Sequence, residues 1–409
     1  MIPRRRTAVI TSTTLAALAA AAPSAAQPAP LAVGAHAVLG WSTLDPAPGG
    51  ARASAVAAEQ VFAMAMLRAA GGRFRVVGMV NLEGATMPGG VLAPGAFGEG
   101  FMDRRHPHTY LHELVATGVW PGRPMGMSLT VGKGFAAFGS DDPTNRPALR
   151  FPVNHHWAQI LERLTAVLGV RAGPLVVEGS LFNGDEPDAP DAWPNATRFG
   201  DSWALRMTLQ PARGLEMQGS RARVASPEHR EGSGPTSWKW SASARYLHRW
   251  SGGPELYGLA EWARTTEAEG FFVFPSALIE AQLRAGPHRP YVRLEWTDRP
   301  EEERTLDPYR SVRPHLDDAL LGITRWRIQT VGYGFSVRVA GTTLEPILEV
   351  ARAAVGIVGG GVFTPADFYG GATLWSATAA LRVRVGTPHR MGRYGVLDES
   401  GDATAHSGH

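Results

Sequence analysis

The chain has 409 residues, a formal net charge of +3 with histidine neutral, and no cysteine. That composition excludes disulfide frameworks, thiolate metal sites and cysteine nucleophiles, and it offers no broad basic surface for a nucleic acid. Nearly all of the positive charge is arginine, since Lys133 and Lys239 are the only lysines.

The first element in chain order is a leader. Arg4, Arg5 and Arg6 form a positive stretch, "AVITSTTLAALAAAA" is a short apolar run, and Ser24-Ala25-Ala26 supplies small residues for cleavage. Residues 1–26 therefore read as a secretory signal peptide cut before Gln27. The absence of cysteine suits export into a compartment that oxidises thiols, as in a Gram-negative envelope. Beyond the leader no apolar run is long enough for a helical span, so a membrane-embedded form has to be a β-barrel.

The following segments alternate with the period of a strand. "RFRVVGMVNLEG", "GMSLTVGKGFAAFG", "PLVVEGSLF", "ELYGLAEWAR" and "TLEPILEVARAAV" do so with modest contrast, and "WAQILERLTAVLGV", lying between turn signals, reads as a strand as well. The contrast is clean elsewhere. In "DSWALRMTLQ", Trp203, Leu205, Met207 and Leu209 oppose Ala204, Arg206, Thr208 and Gln210. In "SWKWSASARYL", Trp238 and Trp240 oppose Lys239, Ser241 and Arg245. "ALIEAQLR" and "YVRLEWT" set Ile279, Leu283, Val292 and Leu294 against Glu280, Arg284, Arg293 and Glu295, and "LWSATAALRVRV" sets Trp375, Leu381 and Val383 against Ser376, Arg382 and Arg384. One face is apolar with aromatics near its ends; the other carries arginine beside glutamate, as in a wet lumen.

Clusters of Gly, Pro, Asp and Asn separate the strands. "GATMPGGVLAPGAFGEG", "GSDDPTNRPALRFPVN", "NGDEPDAPDAWPNATRFGD", "SPEHREGSGPTS" and "DRPEEERTLDPYRSVRPHLDD" resemble the extracellular loops of barrels, whereas "AGP" and "SGGP" look like tight periplasmic turns. A hairpin repeat of roughly 45 to 55 residues gives about 14–16 strands. The expected fold is all-β: a single transmembrane antiparallel β-barrel with long polar loops over residues 27–390, followed by a disordered tail over 391–409. Its final strand lacks the terminal aromatic common in barrels handed to the outer-membrane assembly machinery.

An outer-membrane pore of this kind would touch lipid outside and small solutes or ions inside, with no cofactor and no catalytic residue. Its expected lining is Arg206, Lys239, Arg245, Glu280, Arg284, Arg293, Glu295 and Arg382, with Glu280 and Glu295 as partners of Arg284 and Arg293. A second reading starts from "DRRHPHTYLHELV" and "NHHW". A hairpin that brought His106, His108, His155 and His156 together would suit Zn or Cu. His112-Glu113 lacks the second histidine of a zincin helix. A third reading, an envelope hydrolase, would use His108 or His112 as base, but no nucleophile is marked by its surroundings. The run after Glu178, with Asp185, Glu186 and Asp188, lacks the ordered spacing of a calcium loop and reads as solvated.

The ordered set "DRRHPHTYLHEL", "NHHW", "VEGSLFNGDEPD", "DSWALRMTLQP" and "SPE" resembles an uncharacterised family of Gram-negative outer-membrane-type barrel proteins. That family shows D-R-Q-H-P-H-D with a glutamate four residues later, then H-H-W-x-D-S-T-H, then E-x-S-x-F-x-G-R-E-P-D. The motif positions here are His106, His108, Glu113, His155, His156, Glu178, Glu186 and Asp188. The resemblance implies an envelope barrel and carries over no substrate or reaction. The chain departs from the pattern at Thr109 and at Gln159 to Glu162, where an Asp and a His of that pattern are replaced.

Overall fold

The computed structural model describes residues 30–45, 53–86, 109–122, 124–187, 190–225, 235–302, 320–361, 370–386 and 389–397. The leader and its cleavage point, His106, His108 and Asp188 lie outside the described residues.

The strands are β1 (Leu31–Asp45), β2 (Ala53–Ala69), β3 (Phe74–Asn81), β4 (Leu111–Trp120), β5 (Met125–Gly134), β6 (Arg163–Ala172), β7 (Leu175–Phe182), β8 (Ser202–Ala212) and β9 (Leu215–Val224). They continue with β10 (Ser237–Arg249), β11 (Glu255–Glu267), β12 (Phe272–Arg284), β13 (His288–Glu302), β14 (Leu320–Phe335), β15 (Val337–Val339), β16 (Thr342–Gly361) and β17 (Thr373–Gly386). Both β14 and its short continuation β15 pair with β16, so the wall has 16 staves. Each stave is antiparallel to the next, and β1 pairs with β2 on one side and β17 on the other, which closes the barrel and leaves no sheet edge.

The period-2 pattern decides which face is which. On β8, Leu205 and Met207 are 53% and 54% exposed, while Arg206 and Thr208 between them are 2% and 0% exposed. Leu39, Leu168, Ile279, Val331 and Leu348 repeat the outward apolar pattern around the wall. A continuous apolar exterior of this kind is favourable against hydrocarbon and unfavourable against water, and it makes the barrel a transmembrane one. Exposed aromatics gather towards the two ends, with Trp41, Trp262 and Trp375 on one side and Trp120, Tyr246, Trp250 and Tyr333 on the other. These are the girdles that a membrane interface holds.

The two ends differ in their connections. "AGP" and "SGGP" make tight turns as expected, and at the same end Gly214 joins β8 to β9 with φ +77°. A Cβ there would meet the Leu247 carbonyl oxygen at 2.0 Å, so only glycine fits. The start of β1 and the end of β17 share this short-turn end, because Gly34 pairs with Gly386.

Two segments then turn into the barrel. Residues 135–162, between β5 and β6, are almost wholly buried although "GSDDPTNRPALRFPVN" reads as an outer loop. The reason is local chemistry. Phe135, Ala137 and Leu161 pack on Phe62, Met79 and Val115 of the inner wall, and Val153 and Trp157 pack on Phe274 and Trp326. Gly139, at φ +73°, lets the segment cross itself, since a Cβ would lie 1.6 Å from the Ala158 carbonyl oxygen. "WAQILERLTAVLGV" accordingly splits into a helical turn, His155–Ala158, and a strand that begins only at Arg163.

The second segment is 389–397. Residues 391–397, expected to open a disordered tail, are instead ordered, with Met391, Tyr394, Val396 and Leu397 packed inside the barrel, and the rest of that expectation lies outside the described residues. Gly395 and Gly392 let this stretch lie flat on the wall, and Val396 and Leu397 contact Val119 and Val176.

Candidate functional site

The lumen is built by the inward residues of the wall and by residues 135–162, which touch nearly every side of it. The Ala137 and Gly139 amides donate to Ser180 Oγ on β7 (3.1 Å) and Ser220 Oγ on β9 (2.9 Å). Arg146 donates to Glu261 on β11 at 2.9 Å. Across the barrel, Glu349 on β16 accepts from the Leu149 amide at 2.8 Å, from Arg150 at 2.5 Å and from Tyr291 on β13 at 2.7 Å. The Val153 amide donates to Glu295 at 2.9 Å, and Trp157 Nε1 reaches the Asp298 carbonyl at 3.2 Å. Backbone groups that a lumen segment cannot satisfy within itself are satisfied by wall carboxylates and hydroxyls.

The residues expected along the lumen all project inward from their strands, but most are engaged with a partner. Arg206 grips Glu178 in a bidentate pair at 2.6 and 2.9 Å, its register partner on β7, and also donates to the Gly392 carbonyl at 2.9 Å. Lys239 donates to the His156 carbonyl at 2.9 Å and lies over the Trp157 ring. Arg293 pairs with Glu295 at 2.8 Å, as the sequence suggests. Arg284 does not pair with Glu280: its partner is Glu255 at 2.8 Å, directly opposite it in the β11–β12 register. Glu280 instead accepts from Tyr257 at 2.9 Å. Arg382 reaches the Glu345 carboxylate only loosely, at 3.8 Å, and its terminal nitrogens donate to the Pro147 and Ala148 carbonyls at 3.4–3.5 Å.

The histidine-rich stretch resolves into separate environments. A bulge in the β3–β4 register, between Met79 and Val80, turns both His112 and Glu113 inward and breaks the strict alternation expected there. His112 Nδ1 is 2.7 Å from Glu162 Oε1, between the rings of Phe62 and Phe135. Thr109 donates its amide (2.9 Å) and its hydroxyl (2.7 Å) to the same oxygen, and Lys133 donates to that hydroxyl. Thr109 and Glu162, two of the positions at which the chain departs from the pattern it resembles, are thus bonded to each other. Glu113 faces His389 of the C-terminal segment at 3.5 Å.

His155 and His156 are buried neighbours with ring centroids 5.1 Å apart, and His155 lies against Phe151. Among the described residues no three metal-ligating side chains are gathered. Of the acidic run after Glu178, which reads as solvated, Asp185 and Glu186 are instead largely buried against arginines, Arg198 at 2.5 Å and Arg163 at 2.8 Å.

Asp141 joins the two inserted segments. It receives Arg245 from β10, Arg390, and Arg393 at 2.9 Å, and Arg393 also holds Glu216 at 2.7 Å. Burial by itself raises the pKa of Asp141; Arg245, Arg390 and Arg393 outweigh it and hold the carboxyl well below the usual range. Tyr394 seals the contact, accepting from the Phe135 amide at 3.0 Å.

On the opposite side, beneath Arg146 and Pro147, a cavity of about 140 Å³ lies towards the short-turn end. Its wall comes from β12, β13, β16 and β17. Sequence reasoning placed Arg382 and Arg284 on that wall and missed the roof. Only the arginines of "NRPALR" hinted at it, and nothing in their spacing says that they point inward.

No protein-family model and no curated protein matches the chain. Solved structures similar to it include an anion-selective porin from Comamonas acidovorans, at 9% identity and TM-score 0.49, over 87% of this chain and 99% of that one. Salmonella typhi OmpF, solved with daunomycin, gives 10% identity and TM-score 0.49 over 87% and 97% of the two chains. Acinetobacter baumannii OccAB3 gives 10% and 0.44 over 88% and 100%. The assignment of this chain as a transmembrane β-barrel stands on its own closed strand pairing and apolar outer face.

Proposed function

We propose that the chain is a passive pore in the outer membrane of a Gram-negative cell, with its short-turn end in the periplasm. Small solutes or ions cross a lumen narrowed by residues 135–162 and lined by arginine and glutamate. The observation that carries this reading is the inserted segment itself, tied to inward carboxylates around the wall and roofing a charged cavity. A segment fixed on several sides narrows a lumen without needing to move, and fixed charges beside it sort ions by sign.

In this mechanism no bond is made or broken. The lipid contacts the apolar exterior, and the barrel assembly machinery is the partner that inserts it. The test is current across a planar bilayer after addition of the refolded protein, with heat-modifiable gel mobility as the control for folding. Discrete conductance steps are expected. A correctly folded barrel that gives no steps overturns the reading.

A further inference from the structure

The charges of the cavity do not balance. Arg146, Arg284, Arg289, Arg382 and Arg384 line it against a single carboxylate, Glu345. Arg146 and Arg284 are engaged with Glu261 and Glu255, each of which lies outside the lining. Arg289 bonds only to the Gly286 and His288 carbonyls, and neither it nor Arg384 has a carboxylate within 4.0 Å among the described residues. The Arg382 side chain is 3% exposed, and its Nε has no acceptor within hydrogen-bonding distance among the described residues. The same holds for one terminal nitrogen of buried Arg146.

Buried donors of this kind are costly without an acceptor, and like charges gathered in a low-dielectric cavity repel. A compact oxyanion answers both. Guanidinium groups match carboxylate and phosphate oxygens with paired N–H donors, and with Glu261 and Glu255 offsetting Arg146 and Arg284, a dianion offsets the two positive charges that Glu345 leaves. Gln282, Ser336 and Thr343 add neutral polar groups to the same lining.

We infer that the arginine cavity between Arg146 and the β12–β17 wall is a binding site for a small oxyanion, a carboxylate or a phosphate. The inference rests on the reading of the lumen as a solute path, and it deepens that reading by naming the class of solute held. The cavity holds a few water volumes, which suits an anion the size of phosphate or a short dicarboxylate. Arg289 and Arg384 are the residues to test, because no acidic partner would be orphaned by their removal.

The experiment is calorimetric titration of the full folded chain in detergent with inorganic phosphate, with succinate, and with choline chloride as the control. The Arg289→Ala/Arg384→Ala and Arg384→Lys variants are titrated alongside, with heat-modifiable mobility confirming that each is folded. Saturable heat with phosphate or succinate and not with choline chloride is expected, weakened about tenfold or more in the double alanine variant, as loss of charge-assisted hydrogen bonds does. Retention of most of the affinity in Arg384→Lys would point to charge, and its loss to the forked geometry; either supports the site. Absence of saturable heat with both anions, or unchanged affinity in the double variant, overturns it. Because calorimetry needs no current, a silent bilayer would sink the pore and leave the site standing, and conductance without anion binding would do the reverse.

Discussion

The two halves of the lumen have solved the same problem in opposite ways. Along β2 to β9 the inner wall meets the C-terminal segment, so its charges are consumed in pairs such as Arg206 with Glu178 and Arg393 with Glu216, and apolar residues fill the rest. Along β12 to β17 the segment 135–162 bridges over the wall and leaves a cavity whose arginines outnumber its carboxylates. Inward charge alone therefore does not leave an unbalanced cavity. What matters is whether a second segment of the chain arrives to neutralise it.

The largest expected effect comes from breaking the bridge. Glu349→Ala removes the buried carboxylate that Arg150, the Leu149 amide and Tyr291 share. Removing one partner of a buried pair costs about 3–5 kcal/mol. The segment should lift from β16, giving larger and noisier conductance steps than the wild type together with a lower unfolding temperature in detergent. An unchanged step size would mean that the bridge is held elsewhere.

Next comes the latch. Arg393→Ala removes a cation that Asp141 and Glu216 share, and because Arg245, which they also share, stays in place, a cost somewhat below that of Glu349→Ala, about 2–3 kcal/mol, is expected. Its readout is trypsin cleavage after Arg390, which should be slow in the wild type and fast in the variant, with the barrel core intact. The latch also sets a pH dependence. A carboxyl whose folded pKa is depressed stabilises fully above the unfolded value near ~3.9 and loses that contribution as pH falls through the folded value. Asp141 is depressed, so protection of the tail should persist through mildly acidic pH and fail only in strong acid. Release between pH 5 and 7 would argue against Asp141 as the anchor.

The smallest effect belongs to the rim. Glu255 pairs with Arg284 and Arg249, whose side chains are 44% and 58% exposed. Solvent screens such pairs, and Glu255→Gln should cost about 0.2–1 kcal/mol with no change in step size.

Much of this was legible in the chain itself. The alternation of Leu205, Arg206, Met207 and Thr208 predicts one wet and one greasy face, because a strand has no other way to place successive side chains. Sixteen staves match the upper end of the range that hairpin length suggests. The inserted segments were not legible. "GSDDPTNRPALRFPVN" has the composition of a solvated loop, and partners distant in the chain make its burial favourable: Glu261, Glu295 and Glu349 for its donors, the arginines around Asp141, and the wall residues that Ala148, Leu149 and Val153 pack on. The bulge beside His112 likewise comes from the fit of β4 against β3, and local periodicity carries no sign of it. Arg284 was given the wrong partner because register across strands, which places Glu255 opposite it, is not visible within one strand.

A chain without cysteine permits a direct test of the two halves. Thr343→Cys places a thiol in the arginine cavity, and Ser128→Cys places one under Val396, where the Ser128 hydroxyl now accepts from the Val396 amide at 3.1 Å. A water-soluble, charged methanethiosulfonate would be added to each variant while current through a planar bilayer is recorded. If solutes pass on the arginine side, the current through Thr343→Cys falls on addition and that through Ser128→Cys does not. Block at Ser128→Cys with Thr343→Cys unaffected would place the path on the other side of the lumen and contradict the division drawn between its halves.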